Sequence, residues 1–301
     1  MSAAEESASH REDRSSRDAL RRALVDGRAV ALDDAVLHIT DDGVARGDGA
    51  FETIGVWGGR PFRLDDHLDR LAVSSERILL PPPDLGLLRM EALQLLSDVT
   101  VDAALRVYVT GSGARVLTVD HQPTGRHAAH LVPQTAPWIR PVAEYAPAGA
   151  KTMSYLPNMV ASRAARAAGG DDALLVSLEG HILEGPTFAV CWAAGGVVHA
   201  PSTELGIVDS ISRRTALEAA RDQGLEVVEG AWGLDGLDDA EEVVVSSAVR
   251  DVISVRRVAD RVFDGPTPVR DALAAAVTAR RRSTARISRR RGGRGRPSGR
   301  A

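Results

Sequence analysis

Lysine is almost missing from this sequence: of 37 strongly basic residues, only Lys151 is a lysine and the rest are arginine. Arginine serves wherever a positive charge is enough. Its guanidinium stays protonated at any working pH, so it cannot supply a primary amine that attacks a carbonyl. A solitary lysine against that background is a candidate nucleophile on composition alone, the alternative being chance survival in an arginine-biased chain. Cysteine is as scarce. Cys191 stands alone, which excludes an intramolecular disulfide and a thiolate metal cluster within one chain, and it reads as a buried structural thiol. No apolar run approaches the roughly 20 residues that span a bilayer, and the opening MSAAEESASHREDRSSRD is polar where a signal peptide would be apolar. The expectation is a soluble, cytoplasmic protein without membrane contact. The eight histidines have no metal-ligand spacing, no G-x-S-x-G elbow occurs, and Gly111-Ser112-Gly113 is too short for a nucleotide loop, so it reads as a turn and no metal is expected.

What is present is enough apolar material to fold: 301 residues at 44% hydrophobic content suit one large domain or two modest ones. Charge is unevenly spread. Ten arginines and no acid fall between Arg280 and Ala301, and taking them away from the net charge of −4 leaves the first 279 residues at −14. The terminal stretch, rich in Gly, Ser and Arg, reads as a disordered tail over 280–301. It could touch nucleic acid or an acidic surface, or it is a solvated extension.

Residues 1–26 read as a flexible lead-in, partly helical around Arg17 to Val25. A small α/β domain is expected over 27–133. It has loosely alternating strand residues from Arg28 to Ile39, a turn at Asp41 to Gly43, a strand from Ala50 to Val56 and a helix from Leu64 to Leu80 that the Pro81-Pro82-Pro83 run stops. A helix from Leu87 to Val99 and strands at Ala104 to Thr110 and His127 to Val132 follow. A proline-bearing connector over 134–149, with a strand around Arg140 to Val142, leads to a second domain over 150–279. That domain opens on Lys151 and continues with a helix from Asn158 to Ala168. A hairpin of Ala173 to Ser177 with His181 to Trp192 comes next, then a strand at Val197 to His199. A helix capped by Ser210 runs to Gln223, strands follow at Glu226 to Val228, Glu242 to Ser246 and Val252 to Val255, and a last helix runs from Pro268 to Thr278.

Five blocks then occur in order: RGDGAFET (Arg46 to Thr53), HLDRL (His67 to Leu71), AKTMSYLPN (Ala150 to Asn158), LEGPTFAV (Leu183 to Val190) and SISRR (Ser210 to Arg214). Together they resemble the class IV, or fold type IV, pyridoxal 5′-phosphate (PLP) enzymes, among them branched-chain and D-amino acid aminotransferases and aminodeoxychorismate lyase. The resemblance covers about Gly27 to Thr278. It implies an α+β, two-domain fold, with a small N-terminal α/β domain and a larger, mostly β C-terminal domain, the cofactor between them and a homodimer completing the pocket.

PLP asks four things of a protein: an amine for its aldehyde, an acid for its pyridine nitrogen, donors for its phosphate and a donor for its phenolate oxygen. By match to the family, Lys151 carries the Schiff base and shuttles a proton at the substrate Cα, for which its amine must be neutral. Glu184 matches the partner of the pyridine nitrogen, and Tyr155 the donor to the phenolate. Arg70 matches a phosphate ligand, as do Ile211 and Ser212 in the first turn of the Ser210-capped helix, where free amides favour an anion. The family pattern there is Gly-Ile-Thr-Arg, so Ser210 replaces a glycine and Ser212 a threonine. Ser247 falls at another phosphate contact, beside Ala248, where many transaminases carry threonine. Phe51, Thr53, Arg106 and Thr110 fall in segments that line the substrate pocket of relatives, with Arg106 suited to a carboxylate. The bland alternatives are a strand carboxylate at Glu184, a surface helical arginine at Arg70 and a packed aromatic at Tyr155.

Two activities share this cofactor shell. One is transamination between an amino acid and a 2-oxo acid, and the other is aminodeoxychorismate lyase, which releases pyruvate and 4-aminobenzoate for folate. The expectation leans to the aminotransferase, because RGDGAFET with LEGPTFAV resembles that group best. A nucleic-acid-binding protein acting through its arginine tail is the reading from another class, and the retained shell argues against it.

Overall fold

The computed structural model describes residues 20–123 and 129–291. A six-stranded antiparallel sheet comes first, built from β1 (Arg22–Val25), β2 (Arg28–Ala31), β3 (Gly49–Trp57), β4 (Arg60–Pro61), β5 (Ala103–Thr110) and β6 (Arg115–Asp120) in the spatial order β2-β1-β6-β5-β3-β4. Asp26 and Gly27 join β1 to β2 with positive φ at both positions, 49° and 82°, the backbone a two-residue hairpin needs to match strand twist. A one-turn helix, α1 (Asp42–Ala45), occupies the expected turn, its Gly43 amide capped by the Asp41 carboxylate. The next two helices, α2 (Leu64–Arg77) and α3 (Leu85–Leu95), cover one face of the sheet. Leu64, Leu68 and Leu71 of α2 meet Leu88, Ala92 and Leu95 of α3 over Ile54, Val56, Leu105 and Val107. Asp84 starts α3 by accepting from the Leu87 amide at 2.9 Å.

The remaining strands form two sheets. One is five-stranded, from β9 (Ala189–Ala194), β10 (Val197–Pro201), β11 (Glu226–Gly230), β12 (Glu242–Ser247) and β13 (Arg250–Val255) in the order β11-β10-β9-β12-β13. The other is four-stranded, from β7 (His130–Thr135), β8 (Asp172–Val176), β14 (Arg257–Val258) and β15 (Arg261–Val262) in the order β15-β14-β7-β8. Packed on them are α4 (Leu156–Ala167), α5 (Ile211–Asp222) and α6 (Pro268–Arg291). The fold is α+β, of the two-part kind expected. No helix among the described residues is long and apolar enough to cross a membrane.

β7 and β8 are parallel neighbours, with Leu131 opposite Asp172. Parallel strands cannot be joined by a tight turn and need a long crossover; here it is the segment 136–171, which carries both Lys151 and α4. β7 thus sits with the later sheets, not with the first domain to which a boundary at 133 would assign it.

Several local expectations are corrected. Arg22 to Val25 is a strand, because Ala23 and Leu24 can bury between β2 and β6. Residues 1–19 of the expected lead-in lie outside the described residues. Strand β6 is an addition to the expected elements, and the segment around Arg140 to Val142 is turn structure. The expected hairpin over 173–192 reduces to a single bridge, Val176 to Ile182, after which the chain leaves that sheet and enters the other as β9. The last helix does not stop at Thr278. It runs to Arg291, with Arg280 paired to Asp222 and Arg281, only 8% exposed, paired to Asp251. Two arginines of the expected tail are thus committed to the fold, and the part beyond Arg291 lies outside the described residues.

Candidate active site

A cavity of about 290 Å³ opens where the first sheet meets the later ones. Its walls come from β3 and β5 (Phe51, Thr53, Arg106), α2 (His67, Arg70), the crossover (Lys151, Tyr155, Met159), the segment after β8 (Glu184 to Phe188), the start of α5 (Ser210, Ile211, Ser212) and the β12–β13 turn (Ser247 to Arg250).

Lys151 is held by its backbone on both sides. Its amide donates to Ser74 Oγ on α2 at 3.0 Å, and its carbonyl accepts from the Phe51 amide on β3 at 3.0 Å. With the main chain pinned, Nζ lies 3.3 Å from the Tyr155 hydroxyl and 4.3 Å from the centre of the Phe51 ring. Phe51 is wedged in turn, edge-on to Tyr155 at 5.3 Å and stacked on Tyr108 at 5.7 Å. Tyr155 stands at the start of α4, where the chain turns into the helix ahead of Pro157.

Glu184 faces the same space. Burial pushes its carboxyl up to about 7, against the opposing effect of the Val208 amide, which donates to Oε1 at 3.2 Å, and of the charges on Lys151, Arg70 and Arg213. Such a group sits close to the edge of ionisation, and a cation placed beside it would tip it to the carboxylate.

Arg70 belongs to a buried network. Its Nε and Nη2 both donate to Glu52 at 2.7 Å, and Nη1 donates to the Asp209 carbonyl at 2.9 Å. Glu52 is fully buried. Burial alone would raise its carboxyl, but the Arg70 charge and the hydrogen bonds from His67 and Arg70 outweigh that and hold it at about 2. An ionised carboxylate can only accept, so His67 donates to it from Nδ1, at 2.7 Å. Burial lowers the pKa of His67, which keeps the ring neutral. At the neighbouring wall, Ser210 Oγ accepts from the Arg213 amide at 3.3 Å and starts α5 as expected, leaving Ile211 and Ser212 in the first turn at the cavity.

Of the residues singled out from the sequence, Lys151, Arg70, Tyr155, Glu184, Ile211, Ser212, Ser247, Phe51, Thr53, Arg106 and Ala248 all line this one cavity. Thr110 does not. It is 3% exposed, and its hydroxyl is committed to Asp41 Oδ2 at 3.0 Å and to the Ala114 amide at 3.1 Å, closing the β5–β6 turn. Position in a pocket-lining strand says nothing about which end of it reaches the pocket. Cys191 is buried, with its thiol pushed up to about 12 by burial, as suits a structural thiol. Among the described residues no group of His, Cys, Asp and Glu could hold a metal ion.

The structure adds four cavity or near-cavity residues that the sequence reading does not single out: Glu52, His67, Thr187 and Arg250. The first three stand inside the quoted blocks, beside Phe51, at the head of HLDRL and in LEGPTFAV, so the blocks themselves carry the signal. Thr187 has a buried Oγ1 with no hydrogen-bond partner among the described residues. Arg250 brings a guanidinium to the wall, 5.8 Å from the Phe188 ring.

Comparison with known proteins gives a match to amino-transferase class IV over residues 49–258, which takes in all the cavity walls. The chain belongs to the class IV aminotransferase family. Its enzymes use PLP, and it is 27% identical over 260 residues to a putative branched-chain-amino-acid aminotransferase of Methanocaldococcus jannaschii, covering 80% of this chain and 88% of the relative. It is 29% identical over 251 residues to the aminodeoxychorismate lyase of Bacillus subtilis, covering 78% and 85%. Among solved structures it resembles a fold IV transaminase from Curtobacterium pusillum, with a TM-score of 0.76, 31% identity and 84% and 92% of the two chains covered. This class IV enzyme therefore has relatives of both reaction types.

Proposed function

We propose that this enzyme is an aminotransferase that moves an amino group between an amino acid and a 2-oxo acid, with Lys151 as the residue that anchors PLP and carries the proton. The observation that supports this most is the setting of the only lysine: Nζ reaches the cavity beside a tyrosine hydroxyl 3.3 Å away, with Glu184 on the same cavity. The donor set fits the cofactor. PLP, when bound, supplies an aldehyde that couples to a primary amine and a ring that draws electrons from the adjacent carbon. Lys151 would provide the amine and, once freed by substrate, would carry a proton between the substrate Cα and the carbon that bore the aldehyde. Tyr155, beside the Lys151 amine, would donate to the phenolate oxygen. Glu184 on the same cavity would hold the ring nitrogen, where its ionised form would stabilise a protonated ring.

For the phosphate, the start of α5 offers free backbone amides at Ile211 and Ser212, with hydroxyls from Ser212 and Ser247. Arg70 joins them. Of its five N–H groups, three are taken by Glu52 and Asp209 and two are left for an anion. Phe51, Thr53 and Ala248 form the substrate side. Arg106 has no ion-pair partner among the described residues and supports recognition of a substrate carboxylate. A homodimer is the expected assembly, and we propose that the second half of the chain includes β7, which pairs with β8.

The lyase reading is favoured by Ala248, standing where many transaminases carry threonine, and by the Bacillus subtilis relative. Steady-state assays with a panel of amino donors beside aminodeoxychorismate separate the two. Amino transfer to a 2-oxo acid without 4-aminobenzoate release is the expected result, and the reverse outcome overturns the assignment. A light-scattering mass equal to one chain would refute the dimer.

A further inference from the structure

The arginine-rich C-terminal helix is the feature that the proposed chemistry leaves without a purpose. On α6, Arg281 lies on the face that packs inward, one turn after Val277, which is 5% exposed and clusters with Val244, Val252 and Leu273. The guanidinium of Arg281 makes three contacts at once. Nη1 pairs with the Asp251 carboxylate, Nη2 donates to the Arg250 carbonyl at 3.1 Å, and the planar group lies 3.9 Å from the centre of the Trp57 ring. Asp251 and Arg250 belong to β13 of the five-stranded sheet, and Trp57 to β3 of the first sheet. One side chain thus ties the last helix to both sheets that border the cavity.

The segment it grips leads into the cavity. Ser247, Ala248, Val249 and Arg250 all contribute to the cavity wall. A narrow cleft behind that wall is lined by Arg281 and Val277 from the helix side and by Ser247, Ala248 and Ser212 from the site side. The turn is also pressed against β3, where a Cβ on Gly55 would fall 2.1 Å from the Ala248 carbonyl oxygen. A turn held only by its two strands is free to rock. A planar fork that stacks on one sheet and hydrogen-bonds the other is suited to stop it.

We propose that Arg281 is a positioning residue: it clamps the Ser247–Arg250 turn against β3 so that Ser247 faces the cofactor phosphate, which makes the C-terminal helix a working part of the site. The proposal rests on the reading of Ser247 as a phosphate contact, and the test separates the two. Full-length protein is stripped of cofactor, and its affinities for PLP and for pyridoxal, which lacks the phosphate, are compared in Arg281→Met, Arg281→Lys, Ser247→Ala and, as a control on the same helix, Arg280→Met. Arg280 pairs with Asp222 on α5, away from the turn. The expected result is that Arg281→Met weakens PLP about tenfold, the scale of one lost charge-assisted contact, and changes pyridoxal by less than about twofold. Arg281→Lys, which keeps the charge but loses the planar fork, should fall between, and Arg280→Met should match the parent.

A lower melting temperature in Arg281→Met with an unchanged PLP-to-pyridoxal ratio overturns the proposal. So does an equal loss in Arg280→Met, which would make the effect one of helix docking in general. A ratio unchanged in Ser247→Ala but lowered in Arg281→Met refutes Ser247 as the contact and supports the clamp acting through its neighbours. The opposite pattern supports Ser247 and refutes the clamp. Should the methionine variant not fold, Arg281→Lys decides by the same ratio.

Discussion

Replacing Glu184 by glutamine should make the cofactor-free protein more stable at neutral and mildly alkaline pH, although the substitution removes a residue proposed to be essential. Burial pushes the carboxyl from an ordinary 4.5 up to about 7. A carboxyl whose folded pKa lies above its unfolded value favours the folded state while protonated, and this contribution is lost as pH rises through the folded pKa. That rise corresponds to about 3 kcal/mol at full ionisation. Most of it falls between pH 5.5 and pH 8, where about 2 kcal/mol should disappear. Glutamine is nearly isosteric and does not titrate. Urea unfolding of the two cofactor-free proteins at both pH values gives the comparison, with the glutamine variant gaining on the parent as pH rises. Added PLP should shrink or reverse the difference, because a ring cation beside Glu184 favours its carboxylate. A stability difference that does not change with pH would show that Glu184 is already solvated or paired in the empty cavity, and would refute the reasoning.

Three further outcomes follow from the geometry. Lys151→Ala should abolish all cofactor trapped by borohydride reduction, and any covalent adduct seen by mass spectrometry elsewhere contradicts the anchor, since no other lysine exists in the chain. Glu52→Gln should cost about 3 kcal/mol or more in unfolding free energy, because it leaves Arg70 buried without its counter-charge. In the parent, the stability from Glu52 is present above pH 4.5 and lost as pH falls towards the folded value of about 2; acid unfolding that is identical in parent and variant would refute the pair. Gly55→Ala should push the Ala248 carbonyl aside and cost about 1–3 kcal/mol, and a variant with unchanged melting temperature and PLP affinity would show that the turn yields freely.

Much of the site is legible in the sequence because its chemistry restricts residue type. No arginine can replace an amine nucleophile, so Lys151 stands out in a chain otherwise purged of lysine, and Arg70, Tyr155 and Glu184 come forward through the resemblance of their blocks to class IV enzymes. The apolar period of α2 is readable, and Ser210 is readable as the cap of α5, because caps and amphipathic stripes are local. The network of Glu52, His67 and Arg70 is not. It joins β3 to α2 and, through Asp209, to the start of α5, and alternation along a strand says which residues share a face without saying what they meet. Thr110 shows the same gap, its hydroxyl turned to Asp41 where strand position suggests the pocket.

The arginine tail shows the boundary most plainly. Composition makes 280–301 look unable to fold, which is sound for an isolated segment with little to bury. Tertiary contact changes the balance by offering Arg280 and Arg281 partner carboxylates at Asp222 and Asp251 and Arg281 an indole face, so the helix continues where local composition supplies no reason for it. Composition alone was enough to single out Lys151 as a candidate amine, and the resemblance of the ordered blocks to class IV enzymes pointed to the cofactor. The pairing of charges came from the folded chain, because burial and long-range partners set whether Glu52 is held ionised, Glu184 is held near neutrality and Arg281 is held at all.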